Sequence, residues 1–309
     1  MLHLKKRISR KSLFTILGLS VLAVAMSSAG TFAEEAKPDV SEPVTAAPLP
    51  LKWHPGLPLN SAPNKLSSSA ATELVEAERD KYWLNAKRIV YKSTLELAAQ
   101  HQTELTRGLR YDKILRGDPR RKIIALTFDD GPHPAYTPQL LAILKQNDVH
   151  ATFFVVGEQA EKYPDLIRAE VAAGHSVGDH TYDHVSLVKI PLEYVYTEIS
   201  SCSDVIKSIT GKAPKLFRPP GGVYDEQVAT AAEALGFKMV LWTDDPGDYS
   251  SPGAYKIEAR TLDTVSNGGI LLLHDGIKET LQVLPQVIQR LKARGFTFVT
   301  VDEMLRTDK

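Results

Sequence analysis

Acids, imidazoles and one arginine stand at the ends of five short apolar runs in the second half of the sequence. In chain order they are Asp129, Asp130, His180, His184, Arg218, Asp244, Asp245, Asp248 and His274. If the runs are parallel strands, these side chains meet at one end of a sheet or barrel. Together they offer ligands for a cation, a base for water and a proton donor for a leaving group, which are the parts of a metal-assisted hydrolase.

Two histidines four residues apart, His180 and His184, can present their imidazoles to one cation. That spacing is weak by itself because such pairs arise by chance in many proteins. One carboxylate of the adjacent pair Asp129 and Asp130 would complete a site with two histidines and one aspartate that leaves a position open for water. The combination predicts a metal site.

The remaining polar groups suggest how hydrolysis would proceed. Neighbouring carboxylates at a strand end point in different directions, so one can bind the metal while the other acts as a base toward water. Arg218 would orient that base and lower its pKa. His274 would be the general acid, and a strand-end aspartate such as Asp245 would fix its tautomer and raise its basicity.

The elements that carry these residues alternate between strand and helix from Lys122 onward. The predicted strands are KIIALTF, ATFFVVG, HSVGDH, KLFRPP, FKMVLWT, GGILLLHD and TFVTVDE, with amphipathic helical segments between them. Seven such units favour an α/β fold with a closed or nearly closed parallel barrel over an open sheet.

The first 33 residues predict a secretory signal peptide. Five Lys and Arg precede an uncharged apolar run and a small-residue stretch that ends at Ala33. An uncleaved membrane anchor is the alternative. Cleavage would leave 32 basic and 37 acidic residues, a net charge of −5 that argues against nucleic-acid binding, and a single cysteine, Cys202, excludes an internal disulfide. We expect an exported protein of the periplasm, cell envelope or medium, without a transmembrane segment after cleavage.

Residues 34–66 contain seven prolines and predict an extended arm or linker. Residues 67–121 form a helical extension, with one long helix or two shorter ones ending near residue 107. This extension would pack on the main domain, or it would form a coiled-coil dimer. The catalytic domain is expected to span residues 122–309.

Five motifs in this order, TFDDGP, HTYDH, FRPPGG, WTDDPGDY and LLLHD, resemble those of the NodB-homology polysaccharide deacetylases, carbohydrate esterase family 4. The likeness covers about residues 122–305. It implies a distorted (β/α)7-type barrel and metal-dependent removal of acetyl groups from sugar polymers. Zinc is the metal that the resemblance most favours, with Co²⁺, Mn²⁺ or Ni²⁺ as other possibilities.

The resemblance also implies roles for single residues. Asp129 corresponds to the base, Arg218 to the group that positions it, His274 to the acid and Asp245 to the partner of that acid. The metal ligands would be Asp130, His180 and His184. Leu272 resembles the wall for the acetyl methyl group.

Two positions depart from the family pattern. Gly221 stands where an aromatic residue is common, although its N–H could still bind the oxyanion of the tetrahedral intermediate. Tyr249 stands where tryptophan is usual. These departures predict a wider, more open cleft.

The expected substrate is peptidoglycan, at its N-acetylglucosamine or N-acetylmuramic acid units. Chitin or chito-oligosaccharides come next, and acetylated xylan third. A glycan-binding pseudoenzyme is a further alternative, whereas a metallopeptidase is disfavoured because the sequence lacks H-E-x-x-H. The sequence leaves the oligomeric state open.

Overall fold

The computed structural model of the chain describes residues 88–307. The predicted signal peptide, the Pro-rich arm and the part of the helical extension before residue 88 lie outside the described residues.

A sheet of eight parallel strands forms the centre of the described chain. The strands are β1 (Lys113–Ile114), β2 (Ile123–Asp129), β3 (Thr152–Val155), β4 (Ser176–Asp179), β5 (Leu216–Phe217), β6 (Lys238–Val240), β7 (Gly269–His274) and β8 (Thr297–Val299). Their order is β1-β6-β5-β4-β3-β2-β7, and β8 pairs with the first residues of β2. The seven predicted strands correspond to β2–β8.

The sheet closes through the residues that follow β6. The backbone N–H of Thr243 donates to the Ile270 carbonyl at 3.1 Å, and the Leu272 N–H donates to the Asp244 carbonyl at 2.9 Å. These bonds join the continuation of β6 to β7, so strands β2 to β7 form a ring. The prediction of a distorted parallel barrel is confirmed.

Helices surround the barrel. They are α1 (Thr94–Thr106), α2 (Thr137–Gln146), α3 (Gly157–Lys162), α4 (Pro164–Ala172), α5 (Leu192–Thr210), α6 (Glu226–Ala234), α7 (Ala254–Thr264), α8 (Lys278–Ala293) and α9 (Val301–Thr307). Short 3₁₀ turns lie at Leu187–Lys189, Pro220–Gly222 and Asp248–Ser250. Within residues 88–307, every helix is too short or too polar to cross a membrane.

The region assigned to the helical extension differs from the prediction in two ways. Residues 88–93 are not helical, and α1 begins only after Ser93, whose side chain and that of Glu96 form a reciprocal capping box. In addition, β1 was not predicted. It pairs with β6, so the sheet starts before Lys122.

Side-chain alternation along the buried strands separates two apolar cores. Ala125 of β2 packs in one cluster with Ile270 and Leu272 of β7, whereas Leu126 and Phe128 pack in the other, toward the outer helices. Successive side chains of a strand face opposite sides. The last residues of β2 and β7 therefore face the same side as Ala125, Ile270 and Leu272. Asp129 and His274 therefore lie on the inner face of the barrel, and they are register partners in neighbouring strands.

Candidate active site

Asp129 is held by a buried arginine. Arg218 Nη1 donates to Asp129 Oδ1 at 2.7 Å and to Thr127 Oγ1 at 2.8 Å, and its Nε donates to the Val240 carbonyl at 3.1 Å. The guanidinium carbon lies 4.1 Å from the centre of the Phe154 ring. Arg218 has no exposed surface, and burial lowers its pKa although the charge of Asp129 opposes that effect. This support fixes one oxygen of the carboxylate.

Asp130, His180 and His184 converge beside it, as predicted. One ligand atom from each lies within 4.8 Å of the others. Asp130 Oδ1 is 3.1 Å from His184 Nε2 and 3.4 Å from His180 Nε2. The backbones of Asp130 and His184 have φ of 72° and 53°, the left-handed region that non-glycine residues seldom adopt. Such backbone strain is typical of functional sites, and here it turns both side chains toward one point.

His180 has a tautomer suited to metal binding. Its Nδ1 lies 2.7 Å from the Arg218 carbonyl oxygen. Because a carbonyl only accepts, Nδ1 must carry the proton, which leaves the Nε2 lone pair directed at Asp130. The acceptor of the His180 ring N–H is thus a backbone carbonyl.

The donor set fits a divalent cation. Asp130 Oδ1 and His184 Nε2 are buried, and their contact of 3.1 Å lacks hydrogen-bond geometry, so both atoms are left without a hydrogen-bond partner. This is costly for polar atoms unless another partner binds there. Burial raises the pKa of the Asp130 carboxyl, but the neighbouring His184 and His180 outweigh it and hold that pKa well below its usual range. One ionised carboxylate and two imidazoles are ligands that Zn²⁺ accepts in open, catalytic sites.

The predicted partner of His274 is wrong. His274 Nδ1 lies 2.7 Å from Asp248 Oδ1, and its backbone N–H donates to Asp248 Oδ2 at 2.9 Å. Thr280 Oγ1 also donates to Asp248 Oδ2, at 2.7 Å. Asp245 instead accepts the Gly247 N–H at 2.7 Å and so holds the turn. The two aspartates are three residues apart, and the turn directs only Asp248 beneath β7.

Asp248 makes His274 a proton donor at neutral pH. Burial lowers the pKa of His274, but the Asp248 carboxylate, with smaller contributions from Asp130 and Asp129, outweighs it and raises that pKa from its ordinary 6.5 to about 9. With Nδ1 bonded to Asp248, Nε2 is left buried and without a hydrogen-bond partner. The free Nε2 is the atom that would deliver a proton.

The predicted substrate residues lie around this centre. Leu272 is fully buried in the barrel, on the same face of β7 as His274. Tyr249 is 36% exposed, and its ring meets that of His274 edge-on, with centroids 5.4 Å apart. Gly221 is buried with φ of 63°, and its carbonyl accepts the Lys92 N–H at 2.9 Å. The roles assigned to these three residues stay predictions.

The space that Gly221 was expected to leave open is filled by an upstream segment. A Cβ atom at residue 221 would lie 2.7 Å from Ile89 Cγ2 and from the Val90 oxygen. The Tyr91 ring stacks on Tyr249 with centroids 3.9 Å apart. Sequence analysis missed Tyr91, since nothing in the local sequence connects it with residues more than 120 positions away.

Comparison with known proteins fits this geometry. The sequence model of the family described as Polysaccharide deacetylase matches residues 116–240. A peptidoglycan-N-acetylglucosamine deacetylase of Bacillus cereus is 38% identical over 190 residues, which cover 60% of this chain and 89% of that protein. The chain belongs to the polysaccharide deacetylase family. It is thus a hydrolase of the deacetylase class.

Other relatives of this deacetylase differ in length and in their named substrates. The peptidoglycan-N-acetylmuramic acid deacetylase of Bacillus subtilis is 34% identical over 193 residues, which cover 62% of this chain but 40% of that protein. The chitooligosaccharide deacetylase of Azorhizobium caulinodans is 36% identical over 188 residues, which cover 56% of this chain and 90% of that protein. These relatives match a stretch of similar length in this chain, and their named substrates differ.

Solved structures share the barrel of the deacetylase. A crystal structure of a peptidoglycan N-acetylglucosamine deacetylase with a bound hydroxamate-type benzamide is 33% identical, with a TM-score of 0.63 over 65% of this chain and 96% of that one. A structure from Bacillus anthracis described as a CE4 family pseudoenzyme is 27% identical, with a TM-score of 0.61 over 64% of this chain and 70% of that one. The shared fold therefore occurs both in an enzyme and in a pseudoenzyme.

Proposed function

We propose that the protein is an exported, zinc-dependent N-deacetylase that acts on N-acetylglucosamine or N-acetylmuramic acid units of peptidoglycan. One observation carries the catalytic part. A carboxylate fixed by Arg218 and a histidine with a free Nε2 are register partners at the mouth of the barrel, beside three converging metal ligands. The names of the Bacillus relatives, which are peptidoglycan deacetylases, support peptidoglycan as the substrate.

A divalent cation held by Asp130, His180 and His184 would polarise the acetyl carbonyl and make water more acidic. Asp129 accepts the proton of the attacking water, while Arg218 keeps its carboxylate aimed at the site. His274 Nε2 donates a proton to the amide nitrogen as the C–N bond breaks. Water and the acetamide are thus converted to acetate and a free amine. The Gly221 N–H is the proposed donor to the oxyanion.

The test is acetate release from purified peptidoglycan by metal-free protein to which Zn²⁺, Co²⁺, Mn²⁺ or Ni²⁺ is returned. Chito-oligosaccharides and acetylated xylan serve as parallel substrates, and mass spectrometry of the digested glycan locates the new amine. We expect release from peptidoglycan that requires metal and is lost in Asp129→Asn. Faster acetate release from chito-oligosaccharides than from peptidoglycan would show that the proposed substrate is wrong.

Folded, metal-loaded protein that releases no acetate from any of these substrates would contradict the catalytic proposal. If that protein still bound the same glycans, the result would favour a glycan-binding pseudoenzyme.

Export is proposed from the sequence of residues 1–33 alone. Intact mass of the protein recovered from the producing cells should place the mature N-terminus at Glu34. A mature protein that retains residues 1–33 would contradict cleavage and favour a membrane anchor.

A further inference from the structure

The segment Ile89 to Lys92 lies beside the catalytic acid. Tyr91 stacks almost flat on Tyr249, with ring planes 10° apart, and its ring meets that of His274 edge-on with centroids 5.3 Å apart. Tyr249 meets the same imidazole edge-on. The two tyrosines thus form a continuous aromatic surface next to the group that would protonate the leaving amine.

Gly221 is shaped to receive this segment. Its φ of 63° is in the left-handed region that favours glycine. Any side chain there would meet Ile89 and Val90, because a Cβ atom would approach both to 2.7 Å. The Gly221 carbonyl also accepts the N–H of Lys92. The backbone of the segment therefore occupies the place that a side chain at residue 221 would take.

The segment is anchored at its carboxyl end. Leu97, in the first turn of α1, is fully buried in the inner core. Glu104 of α1 accepts the Tyr224 hydroxyl at 2.9 Å and the Gln100 amide at 3.0 Å, and it forms an ion pair with Lys113 of β1. These contacts join α1 to the loop that follows Gly222, so the position of residues 89–92 is fixed relative to the site.

A cavity of about 500 Å³ remains open beside the segment. Its walls include Tyr91, Tyr249, Asp130, His274 and Gln159. Binding sites for small polar ligands combine aromatic walls with a few directed polar groups, and this volume lies within their usual range. The segment therefore bounds a pocket that contains a metal ligand and the acid, and leaves that pocket accessible.

The Tyr91 hydroxyl stays protonated. Burial raises the pKa of this phenol above its ordinary value, so the hydroxyl is neutral at pH 7. A neutral phenol can donate a hydrogen bond to a sugar or acetyl oxygen while its ring packs on an apolar sugar face.

We propose that Tyr91 is a substrate-binding residue, and that residues 89–92 form a wall of the subsite for the acetylated sugar in place of a side chain at residue 221. The proposal rests on the proposed function for its substrate class. It assigns part of the binding site to chain that precedes the residues matched by the family model.

The experiment compares Tyr91→Ala and Tyr91→Phe in the whole protein, with Tyr255→Ala as the matched control. Tyr255 is 82% exposed and lies on α7. We expect Tyr91→Ala to raise KM for deacetylation about tenfold with little change in kcat. Tyr91→Phe should show an intermediate rise, and the control none. An unchanged KM, or a rise in kcat/KM as for a segment that blocks the site, would overturn the proposal.

A binding assay separates this proposal from the proposed function. Calorimetry with an N-acetylglucosamine tetramer uses Asp129→Asn protein, with and without Tyr91→Ala, and circular dichroism checks that both are folded. We expect about tenfold weaker binding in the double variant even if the wild-type enzyme releases no acetate. Equal affinities, or no binding by Asp129→Asn itself, would overturn the role of Tyr91.

Discussion

At the scale of single residues, the acid of the site depends on Asp248. Asp248→Asn removes the charge that raises the pKa of His274, whereas burial, which lowers it, stays. The wild-type rate should fall at alkaline pH, where His274 loses its proton, and a cation bound by Asp130 moves that fall below the pH of about 9 expected without metal. In Asp248→Asn we expect this fall at a lower pH and a loss of about 10²–10⁴-fold in kcat at neutral pH. The measurement is the pH profile of acetate release.

Asp245→Asn is the control for that experiment. Asp245 accepts the Gly247 N–H, and it acts on His274 through its charge alone, whereas Asp248 is hydrogen-bonded to the imidazole. The alkaline limb of the Asp245→Asn profile should therefore stay close to that of the wild type. If Asp245→Asn rather than Asp248→Asn shifted the limb, the pairing would be wrong.

Arg218 should not be replaceable by lysine. Its guanidinium donates to Asp129, Thr127 and the Val240 carbonyl at once, with no exposed surface. A lysine ammonium lacks this planar arrangement. We expect Arg218→Lys to lower kcat at least about 10²-fold and to destabilise the fold by about 1–3 kcal/mol, as for buried hydrogen-bond acceptors that lose their donor. Urea unfolding together with kcat measures both, and near wild-type values would refute this role.

At the scale of elements, the contact between Gly221 and residues 89–90 can be tested through stability. Gly221→Ala should cost about 2–4 kcal/mol, since it adds a steric clash to an unfavourable left-handed conformation. Gly211 is the matched control, because it has φ of 76° but nothing within 4 Å of its Cβ position. Gly211→Ala should cost about 1 kcal/mol. Equal costs in urea unfolding would show that the segment does not press on Gly221.

The strands show what a sequence can and cannot predict. Runs such as IIALTF are long and apolar enough to predict a buried strand, and the residues at their ends then predict the metal ligands and the base. The two-residue strand Lys113–Ile114 carries no periodicity, so it was missed. Asp245 and Asp248 differ only in the geometry of a turn, and local sequence does not determine which one faces His274.

At the scale of the whole molecule, the catalytic barrel should need the chain before Lys122. A chain that began at Lys122 would lack β1 and would expose an edge of β6. It would also lack the buried Leu97, whose loss alone lowers the free energy of unfolding by about 2–5 kcal/mol. A chain that begins at Arg88 keeps all these contacts. We expect it to unfold cooperatively, and the shorter chain to unfold at least about 10 °C lower than it or to aggregate. Equal melting temperatures would contradict the role of β1 and α1.

The pairing of β1 with β6 also orders events during synthesis. Met239 follows its partner Lys113 by 126 residues. At about 5–20 residues per second a ribosome takes about 6–25 s to make that stretch. The metal ligands, which all lie between Asp130 and His184, are synthesised within that time. The strand that anchors the upstream segment must wait for β6, and the acid His274 is made later still. The three metal ligands are thus synthesised before the strands that close the barrel around them.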